Sequence, residues 1–314
     1  MTQEIAVHEP GLEAAYAECR AIARREAKNF YYSFVALPEP RRNAICAIYA
    51  FMRKADDLSD DESVSREERR RWIDSWLSEW HAVTRGAETA DAVFVAVRDA
   101  IRRFNIPLSL LDELVAGTTM DLEQAGDKVD TYATFDNLYR YCYLVASVVG
   151  LVCIRIFGYT DKRAEQFAEE TGVAFQLTNI LRDVAEDAER KRVYLPLDAL
   201  AEHGVPLDAL LNRPPGKPPD PPERALLAAI GKRAEEYYGS ARRLLPLIDR
   251  ESRPALWVLV KIYHRLLKQI RRANYDVFSR RIRVPAFMKV EILAAGLGWM
   301  AWVRLRMARQ IPDR

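Results

Sequence analysis

Two acidic runs in the sequence place carboxylates at helical spacing. In the first run, Tyr49, Arg53, Asp56 and Asp60 lie at i, i+4, i+7 and i+11, so a helix brings them to one face, with Asp57 beside them. Carboxylates one turn apart repel each other. Mg²⁺ offsets that repulsion, and it prefers one or two carboxylates together with substrate phosphates. The first run therefore predicts a Mg²⁺ site, with Mn²⁺ as the alternative ion.

The second run places Asn179, Asp183 and Asp187 at i, i+4 and i+8, with Gln176 one turn earlier. A solvated helix face would intersperse charges of opposite sign at this spacing. Here the acids instead continue a stripe that begins with two amides, on an otherwise apolar helix, and Arg190, Lys191 and Arg192 follow at the end of the run. The pattern predicts a second metal site.

Two carboxylate sites with neighbouring basic residues and apolar helices between them suit a substrate that has a diphosphate head and an apolar tail. Loss of the diphosphate leaves an allylic cation, which requires a dry pocket lined by aromatic rings. Each aromatic residue that could line such a pocket is equally suited to a core position. These residues are Phe30, Tyr31, Phe34, Tyr49, Phe51, Tyr141 and Tyr143.

Length and composition bound the fold and exclude some partners. The chain has 314 residues and is 49% hydrophobic, which suffices for one large helical domain. A net charge of +2 gives no overall field that would attract nucleic acid. The four cysteines are far apart, which indicates a reducing cytoplasm. Residues 1–10 lack the apolar stretch of a signal peptide, and we expect them to be flexible.

The hydrophobic period predicts helix after helix, so we expect an all-α protein. The first acidic run lies on a helix predicted from Arg41 to Leu58. In the next helix, Trp72, Trp76 and Trp80 recur every four residues and are predicted to pack in the core.

A central stretch from Tyr139 to Phe157 is apolar on several faces, which indicates a buried helix. It fits a core helix, and it also fits the wall of an apolar cavity in which small residues leave room for a ligand. The two interpretations are compatible. The residues predicted to line the cavity from this helix are Val145, Ala146, Val149 and Gly150.

The chain resembles the squalene/phytoene synthase family from about Ala27 to about Arg283. The resemblance rests on the first acidic motif, on Tyr141-Cys-Tyr-x-Val-Ala-x3-Gly150, on the second acidic motif through Tyr194, and on a C-terminal segment containing Tyr263 and Arg280. It implies the all-α isoprenoid-synthase fold, also called the class I terpenoid synthase fold, as a single domain over 1–314 around one central apolar cavity.

The resemblance also implies that the protein is an enzyme that joins two prenyl diphosphates head to head through a cyclopropyl diphosphate. Its reacting groups would be Tyr49, Arg53, Tyr141 and Tyr194. Its metal ligands would be Asp56, Asp57, Asp60, Asn179, Asp183 and Asp187. Its diphosphate-binding residues would be Lys28, Phe30, Arg53, Gln176, Asn179, Arg182, Tyr263 and Arg280. One departure affects the first diphosphate, because Glu26-Ala-Lys-Asn-Phe30 replaces the family's His-Ser-x-Ser-Phe element.

The length of the prenyl chain is the least determined part of the function. Phe34 is placed to cap a pocket for C15 tails, which favours two farnesyl diphosphates and a C30 product, presqualene diphosphate, squalene or dehydrosqualene. Cys46 is small and would leave room for C20 tails, which favours two geranylgeranyl diphosphates and phytoene. We favour the C30 product, with NADPH as a further cofactor if that product is squalene. A non-catalytic relative acting as an assembly factor is the alternative of another class, although we would expect it to lose the aspartates.

Two C-terminal features lie outside these motifs. Residues 211–222 form a proline-rich stretch predicted to be a surface loop. Residues 285–309 form an apolar helix followed by arginines, which suits either a closing core helix or a helix at a membrane surface. We therefore expect a cytoplasmic protein with peripheral contact to the inner face of the membrane, and the sequence leaves its oligomeric state open.

Overall fold

The structure is a computed structural model that describes residues 10–61, 63–123 and 129–308. The side chains of residues 28–30, 32, 121–123, 307 and 308 lie outside the described part. The flexible start predicted for 1–10 also lies outside it, apart from Pro10. The described chain consists of helices and one pair of two-residue strands, so the predicted all-α class is confirmed. It divides into two compact units, Met1–Glu123 with Arg155–Phe157, and Gln124–Ile154 with Gly158–Arg314.

The first unit is built around the helix that carries the first acidic run. Its helices are α1 (Leu12–Glu26), α2 (Lys28–Val35), α3 (Glu39–Ser59), α4 (Arg66–Thr84), α5 (Ala92–Phe104) and α6 (Leu108–Glu123). Helix α3 packs against α1, α4, α5 and α6. It starts two residues earlier than predicted because Pro40 lies in its first turn, where a proline is tolerated.

Aromatic rings fill the core of the first unit beside α3. Phe51 contacts Trp76 and Trp80 with ring centroids 4.6 and 5.1 Å apart, and Phe94 lies against both tryptophans. The core prediction is confirmed for Trp80, which is fully buried. The core prediction is wrong for Trp72, which is 37% exposed, because the buried face of α4 is too narrow to include all three tryptophans.

The second unit is built around the helix that carries the second acidic run. Its elements are β1 (Asp130–Thr131), α7 (Phe135–Cys142), a π-helical turn (Tyr143–Ser147), α8 (Val148–Phe157, whose last three residues belong to the first unit), α9 (Arg163–Glu189), β2 (Arg192–Val193), α10 (Leu197–Glu202), α11 (Leu207–Leu211), α12 (Pro221–Leu244), a 3₁₀ turn (Leu245–Leu247), α13 (Arg253–Arg272) and α14 (Ala286–Ala308). Helix α9 packs against α12, α13, α7 and the π-helical turn. The two strands pair in parallel.

Glycines allow α9 to lie unusually close to the central apolar helix. A Cβ added at Gly172 would lie 2.5 Å from the Cα of Ser147, and one added at Gly150 would lie 3.1 Å from the carbonyl oxygen of Ala168. The small size of Gly150 is therefore required for packing against the α9 backbone. Gly150 follows the π-helical turn, and a π-helical turn inside an α-helix often marks a functional region.

The proline-rich stretch ends at the N-terminus of α12. Asp220 caps α12 by accepting a hydrogen bond from the Glu223 N–H, and the Glu223 side chain accepts one from the Asp220 N–H in return. Pro221 and Pro222 belong to the first turn of α12. The irregular connection is thus shorter than 211–222, because Leu211 ends α11.

Candidate active site

The first acidic cluster lies at the C-terminal end of α3. Asp56 and Asp57 belong to its last turn and Asp60 is its C-cap, while that turn contains no basic residue. A helix C-terminus carries partial negative charge, so carboxylates are unfavourable there unless a cation compensates them. Arg69 of α4 supplies part of that compensation by donating to the Ser59 carbonyl oxygen at 2.9 Å.

The carboxylates of this cluster are not equivalent. Burial, followed by the nearby Asp60, raises the pKa of Asp56 to about 6, while Arg53 opposes the shift. Asp57 is more exposed and forms an ion pair with Arg53 one turn earlier. Asp56 is therefore the carboxyl in this cluster that gains most from a compensating cation.

Tyr49 lies on the same face of α3, two turns before Asp56. Its ring meets Phe34 of α2 edge-on, with centroids 6.5 Å apart. Burial raises the pKa of Tyr49, and Arg53 opposes that shift. Cys46 is fully buried, and burial raises the pKa of its thiol to about 11. The side chains of Lys28 and Phe30, predicted to bind diphosphate, are outside the described residues.

The second acidic cluster repeats the placement of the first. Gln176, Asn179, Asp183 and Asp187 follow one stripe of α9 into its last turns, and the last turn again contains no basic residue. Burial, followed by the nearby Asp183, raises the pKa of Asp187 to about 7, while Arg192 opposes the shift. This end of α9 also requires compensating positive charge.

Two arginines provide positive charge at Asp183. Arg182 donates to both carboxylate oxygens, from Nε at 2.7 Å and from Nη2 at 2.5 Å. Arg281 donates to Oδ1 at 2.9 Å and pairs with Glu186 at 2.8 Å. Arg280 was predicted to bind diphosphate, whereas its neighbour Arg281, which contacts Asp183, was not predicted; both arginines are exposed. Neither residue could be favoured over the other from the sequence, because both belong to an irregular segment.

Two contacts fix the position of the irregular segment that carries Arg281. Asn274 and Tyr275 adopt left-handed backbone conformations, with φ of 54° and 57°, which a bulky residue such as tyrosine rarely does. Tyr275 lies over Gly231 of α12, where a Cβ would approach the tyrosine oxygen to 2.6 Å. Farther along, Phe278 lies 3.8 Å below the guanidinium of Arg213. A strained turn of this kind is typical of functional segments.

Asn179 contains a polar atom suited to a metal ion. Its Oδ1 is buried and has no hydrogen-bond partner among the described residues, whereas its Nδ2 donates to Gln176 at 3.3 Å. Tyr263 lies beside it, stacked on Phe175 with ring centroids 4.5 Å apart. Burial raises the pKa of Tyr263 to about 12, while Arg182 and Asn179 oppose the shift. The structure thus brings together Gln176, Asn179, Arg182 and Tyr263.

Three tyrosines stack near the end of α9. Tyr141 lies against Tyr194 with ring centroids 4.8 Å apart, and Tyr132 contacts both rings at 5.4 and 5.8 Å. Tyr141 and Tyr194 were predicted to be reacting groups, but Tyr132 was missed. It reaches the cluster because β1 pairs in parallel with β2, so Tyr132 and Tyr194 follow the paired residues in the same register. A two-residue strand leaves no readable pattern in the sequence.

The predicted cavity-lining residues of the central helix lie at and just after its π-helical turn. Val145, Ala146 and Val149 are half-buried. Gly150 is half-buried as well, and its close neighbour is the α9 backbone. Their position as cavity walls stays a prediction.

The residues present fit Mg²⁺ that arrives with a diphosphate. The described residues contain no cluster of three or more His, Cys, Asp or Glu side chains that could hold a metal ion alone. The C-terminal ends of α3 and α9 instead each provide a few carboxylates, one of which has a raised pKa: Asp56 in α3 and Asp187 in α9. Helix α9 also provides the unpartnered Oδ1 of Asn179. This donor set matches the preference of Mg²⁺ for one or two carboxylates plus substrate phosphates.

An all-α fold with two aspartate-bearing helix ends defines a class I isoprenoid synthase. The structure is similar to a dehydrosqualene synthase solved with a ligand, at 27% identity and a TM-score of 0.79, over 93% of this chain and 98% of that one. It is also similar to the squalene synthase HpnC from Alicyclobacillus acidocaldarius, at 26% identity and a TM-score of 0.76, over 84% of this chain and 96% of that one.

The chain belongs to the squalene/phytoene synthase family, whose model matches residues 23–288. Among curated relatives, the phytoene synthase of Mycobacterium tuberculosis is 35% identical over 294 residues, which cover 91% of each chain. The predicted family is confirmed. The protein is therefore a prenyltransferase of the family that condenses prenyl diphosphates head to head.

Proposed function

We propose that this protein condenses two farnesyl diphosphates head to head, giving presqualene diphosphate and then a C30 hydrocarbon. The observation that carries the C15 chain length is the packing of Phe34 against Tyr49. Phe34 is buried and places a bulky ring against Tyr49, which precedes Asp56 by two turns of α3, and there the ring would limit the length of a tail. Cys46 is fully buried, so it offers no accessible surface along which a longer tail could lie.

The two acidic helix ends would bind the diphosphate groups together with Mg²⁺, or Mn²⁺ in its place. Asp56, Asp57 and Asp60 form one ligand set, and Asn179, Asp183 and Asp187 form the other. When bound, the metal would neutralise the diphosphate and make it a better leaving group. Arg53 and Arg182 already lie against these carboxylates, so both can donate to diphosphate oxygens. Lys28, Phe30, Gln176, Tyr263 and Arg280 complete the proposed diphosphate-binding set.

Aromatic rings would protect the cation that forms when the diphosphate leaves. The stacked rings of Tyr141, Tyr194 and Tyr132 would exclude water there, and their faces would attract positive charge. Attack by the double bond of the acceptor and loss of a proton would then close the cyclopropane ring. We propose that a hydroxyl of Tyr49, Tyr141 or Tyr194, or the released diphosphate, accepts this proton. NADPH would be needed only if the product is squalene.

A second candidate is condensation of two geranylgeranyl diphosphates to phytoene. The support for it is the name of the curated relatives, because proteins called phytoene synthase from Mycobacterium tuberculosis and Synechococcus elongatus are each 35% identical to this chain.

A competition assay separates the two candidates. Purified protein is incubated with Mg²⁺ and equal amounts of farnesyl and geranylgeranyl diphosphate, with and without NADPH, and the extract is analysed by mass spectrometry. We expect C30 products from the wild type and a gain of C40 product in Phe34→Ala. Predominant C40 product from the wild type would establish the second candidate. No condensation product from either substrate would favour the non-catalytic alternative.

The protein is proposed to work in the cytoplasm, in peripheral contact with the inner face of the membrane, because its product is insoluble in water.

A further inference from the structure

Helix α14 exposes an apolar stripe along its outer face. Seven large apolar side chains among the described residues are exposed, and four of them belong to this helix. Phe287 is 67% exposed, Val290 65%, Trp302 49% and Leu305 62%. Such a concentration on one element indicates an interaction surface, because isolated exposed apolar residues are ordinary whereas a contiguous patch is not.

The stripe is straight and runs almost the whole length of the helix. At about 100° per residue, Phe287, Ala294, Gly298 and Leu305 fall within about 20° of one line. Val290 and Trp302 lie about 60° to either side of that line. Eighteen residues separate Phe287 from Leu305, so the stripe is about 27 Å long at about 1.5 Å per residue.

The opposite face of α14 is packed against α13. A Cβ at Gly296 would clash with the side chain of Val258, and the rings of Trp257 and Trp299 meet at right angles 6.2 Å apart. Residues 286–306 are long and apolar enough to cross a membrane by length and composition alone. However, one face of the helix belongs to the protein interior, so the stripe suits a helix that lies in a membrane surface.

Basic residues flank this stripe. Arg304 and Arg306 lie about 100° to either side of Leu305, and the Arg306 guanidinium lies 4.2 Å from the ring of Trp302. The chain from 277 to 306 contains six basic residues and a single acid, Glu291. One of the six, Arg281, is paired in the second acidic cluster. Arginines at the border of an apolar stripe can place their heads at the level of lipid phosphates.

The charge of this segment identifies its partner. A two-fold contact between copies of the chain would bring like patches together, so two surplus-positive segments would repel each other. A bilayer with anionic headgroups instead attracts each arginine, which strengthens binding about fivefold per arginine. We propose that α14 is a membrane-surface helix that inserts its outer stripe into the headgroup region of an anionic phospholipid bilayer. This inference rests on the proposed function in one respect, since an insoluble product leaves the enzyme most readily at a membrane.

Vesicle co-sedimentation of the full-length protein tests this inference without substrate. Wild type is mixed with vesicles of phosphatidylglycerol and phosphatidylcholine, or of phosphatidylcholine alone. We expect binding to the anionic vesicles, at least tenfold weaker binding for F287S/L305S, and roughly twentyfold weaker binding for R304Q/R306Q. Because Glu291 lies about 40° from the centre of the stripe, E291Q should bind several-fold more tightly.

The matched control is L12S/L108S, which changes two exposed leucines on other helices. It should bind vesicles like the wild type. Circular dichroism and product formation in detergent should stay unchanged in F287S/L305S, which separates loss of membrane binding from misfolding. Equal binding of F287S/L305S and wild type would overturn the inference. So would the absence of vesicle binding, or a dimer in sedimentation velocity that F287S/L305S dissociates. Failure to form product in detergent would count against the proposed function alone.

Discussion

The ends of α3 and α9 present the same electrostatic problem with different solutions. Both place carboxylates in a helix C-terminus without a basic residue in the last turn. At α3 the nearest cation, Arg53, comes from the same helix one turn away. At α9 one cation, Arg182, is local, whereas the other, Arg281, is supplied by a segment 98 residues along the chain. The first cluster is locally encoded, and the second depends on tertiary structure.

This difference affects how each cluster responds to mutation. Loss of a carboxylate should disable either end, because each is proposed to bind a diphosphate with Mg²⁺. Loss of the Arg281 segment should affect only the α9 end, since the α3 end draws its positive charge from Arg53 of its own helix and from Arg69 of the next helix.

The largest expected effect comes from removing one aspartate of either cluster. Asp56→Ala and Asp183→Ala should each lower kcat by at least roughly 10²–10³-fold, the usual consequence of removing a group that stabilises transition-state charge. The measurement is the rate of product formation, with circular dichroism to confirm retained helicity. The control is Asp74→Ala, which removes an exposed carboxylate of α4 and should be fully active. Full activity in either aspartate variant would show that the metal assignment is wrong.

Removing Arg281 should have a smaller effect that is confined to the second cluster. Arg281→Ala leaves Arg182 in place, so we expect roughly a tenfold loss in kcat/KM, corresponding to about 1.4 kcal/mol. Steady-state kinetics would measure it, with the exposed Arg272 changed to alanine as the control. An unchanged kcat/KM would mean that Arg281 only neutralises Asp183 and Glu186 in the free protein.

The support of the Arg281 segment can be tested by a pair of glycine variants in α12. Gly231→Ala places a Cβ against Tyr275 and should destabilise the protein by about 1–3 kcal/mol through overpacking. Gly239→Ala meets nothing closer than 3.8 Å and should be neutral or stabilising by up to about 1 kcal/mol. Chemical denaturation measures both free energies of unfolding. A similar effect of the two substitutions would contradict the proposed role of the Tyr275 contact.

The smallest expected effect is on the pH dependence of stability. The pKa of Asp187 is raised to about 7 and that of Asp56 to about 6. A carboxyl with a raised pKa binds protons more tightly in the folded than in the unfolded state. Its contribution to stability is therefore fully present below pH of about 4 and is lost as pH rises through about 6 to 7.

The melting temperature of the metal-free protein should therefore decrease by roughly a few degrees as the pH is raised from 5 to 8. Asp187→Asn should flatten the upper part of this decline and Asp56→Asn the lower part. Addition of Mg²⁺ with inorganic diphosphate should raise the midpoint more at pH 8 than at pH 6, because ionised carboxylates bind the cation better. A midpoint that rises with pH in the metal-free protein would contradict the shifts in both pKa values.

The sequence predicted those parts of the site that depend on local spacing. Both acidic stripes and the Tyr49–Arg53 face follow from helical periodicity, and so does the grouping of Gln176 with Asn179. The resemblance to a family added Tyr141 and Tyr194, which the structure stacks together. The all-α class followed from the same periodicity.

The parts that escaped prediction depend on long-range packing. Tyr132 joins the tyrosine cluster through a two-residue strand pair, and Arg281 reaches Asp183 from an irregular segment. Gly150 appeared to leave room for a ligand, but its nearest neighbour is the backbone of α9. Neither a short strand nor a turn with positive φ has a period that a sequence pattern reveals.

The central claim is that both acidic helix ends serve one head-to-head condensation. The most direct test is incubation of the purified protein with farnesyl diphosphate, with and without Mg²⁺, followed by mass spectrometry of diphosphates and hydrocarbons. We predict a C30 cyclopropyl diphosphate or C30 hydrocarbon with Mg²⁺ and none without it, and loss of product in both Asp56→Ala and Asp183→Ala. The absence of any condensation product from farnesyl diphosphate and from geranylgeranyl diphosphate would contradict the claim.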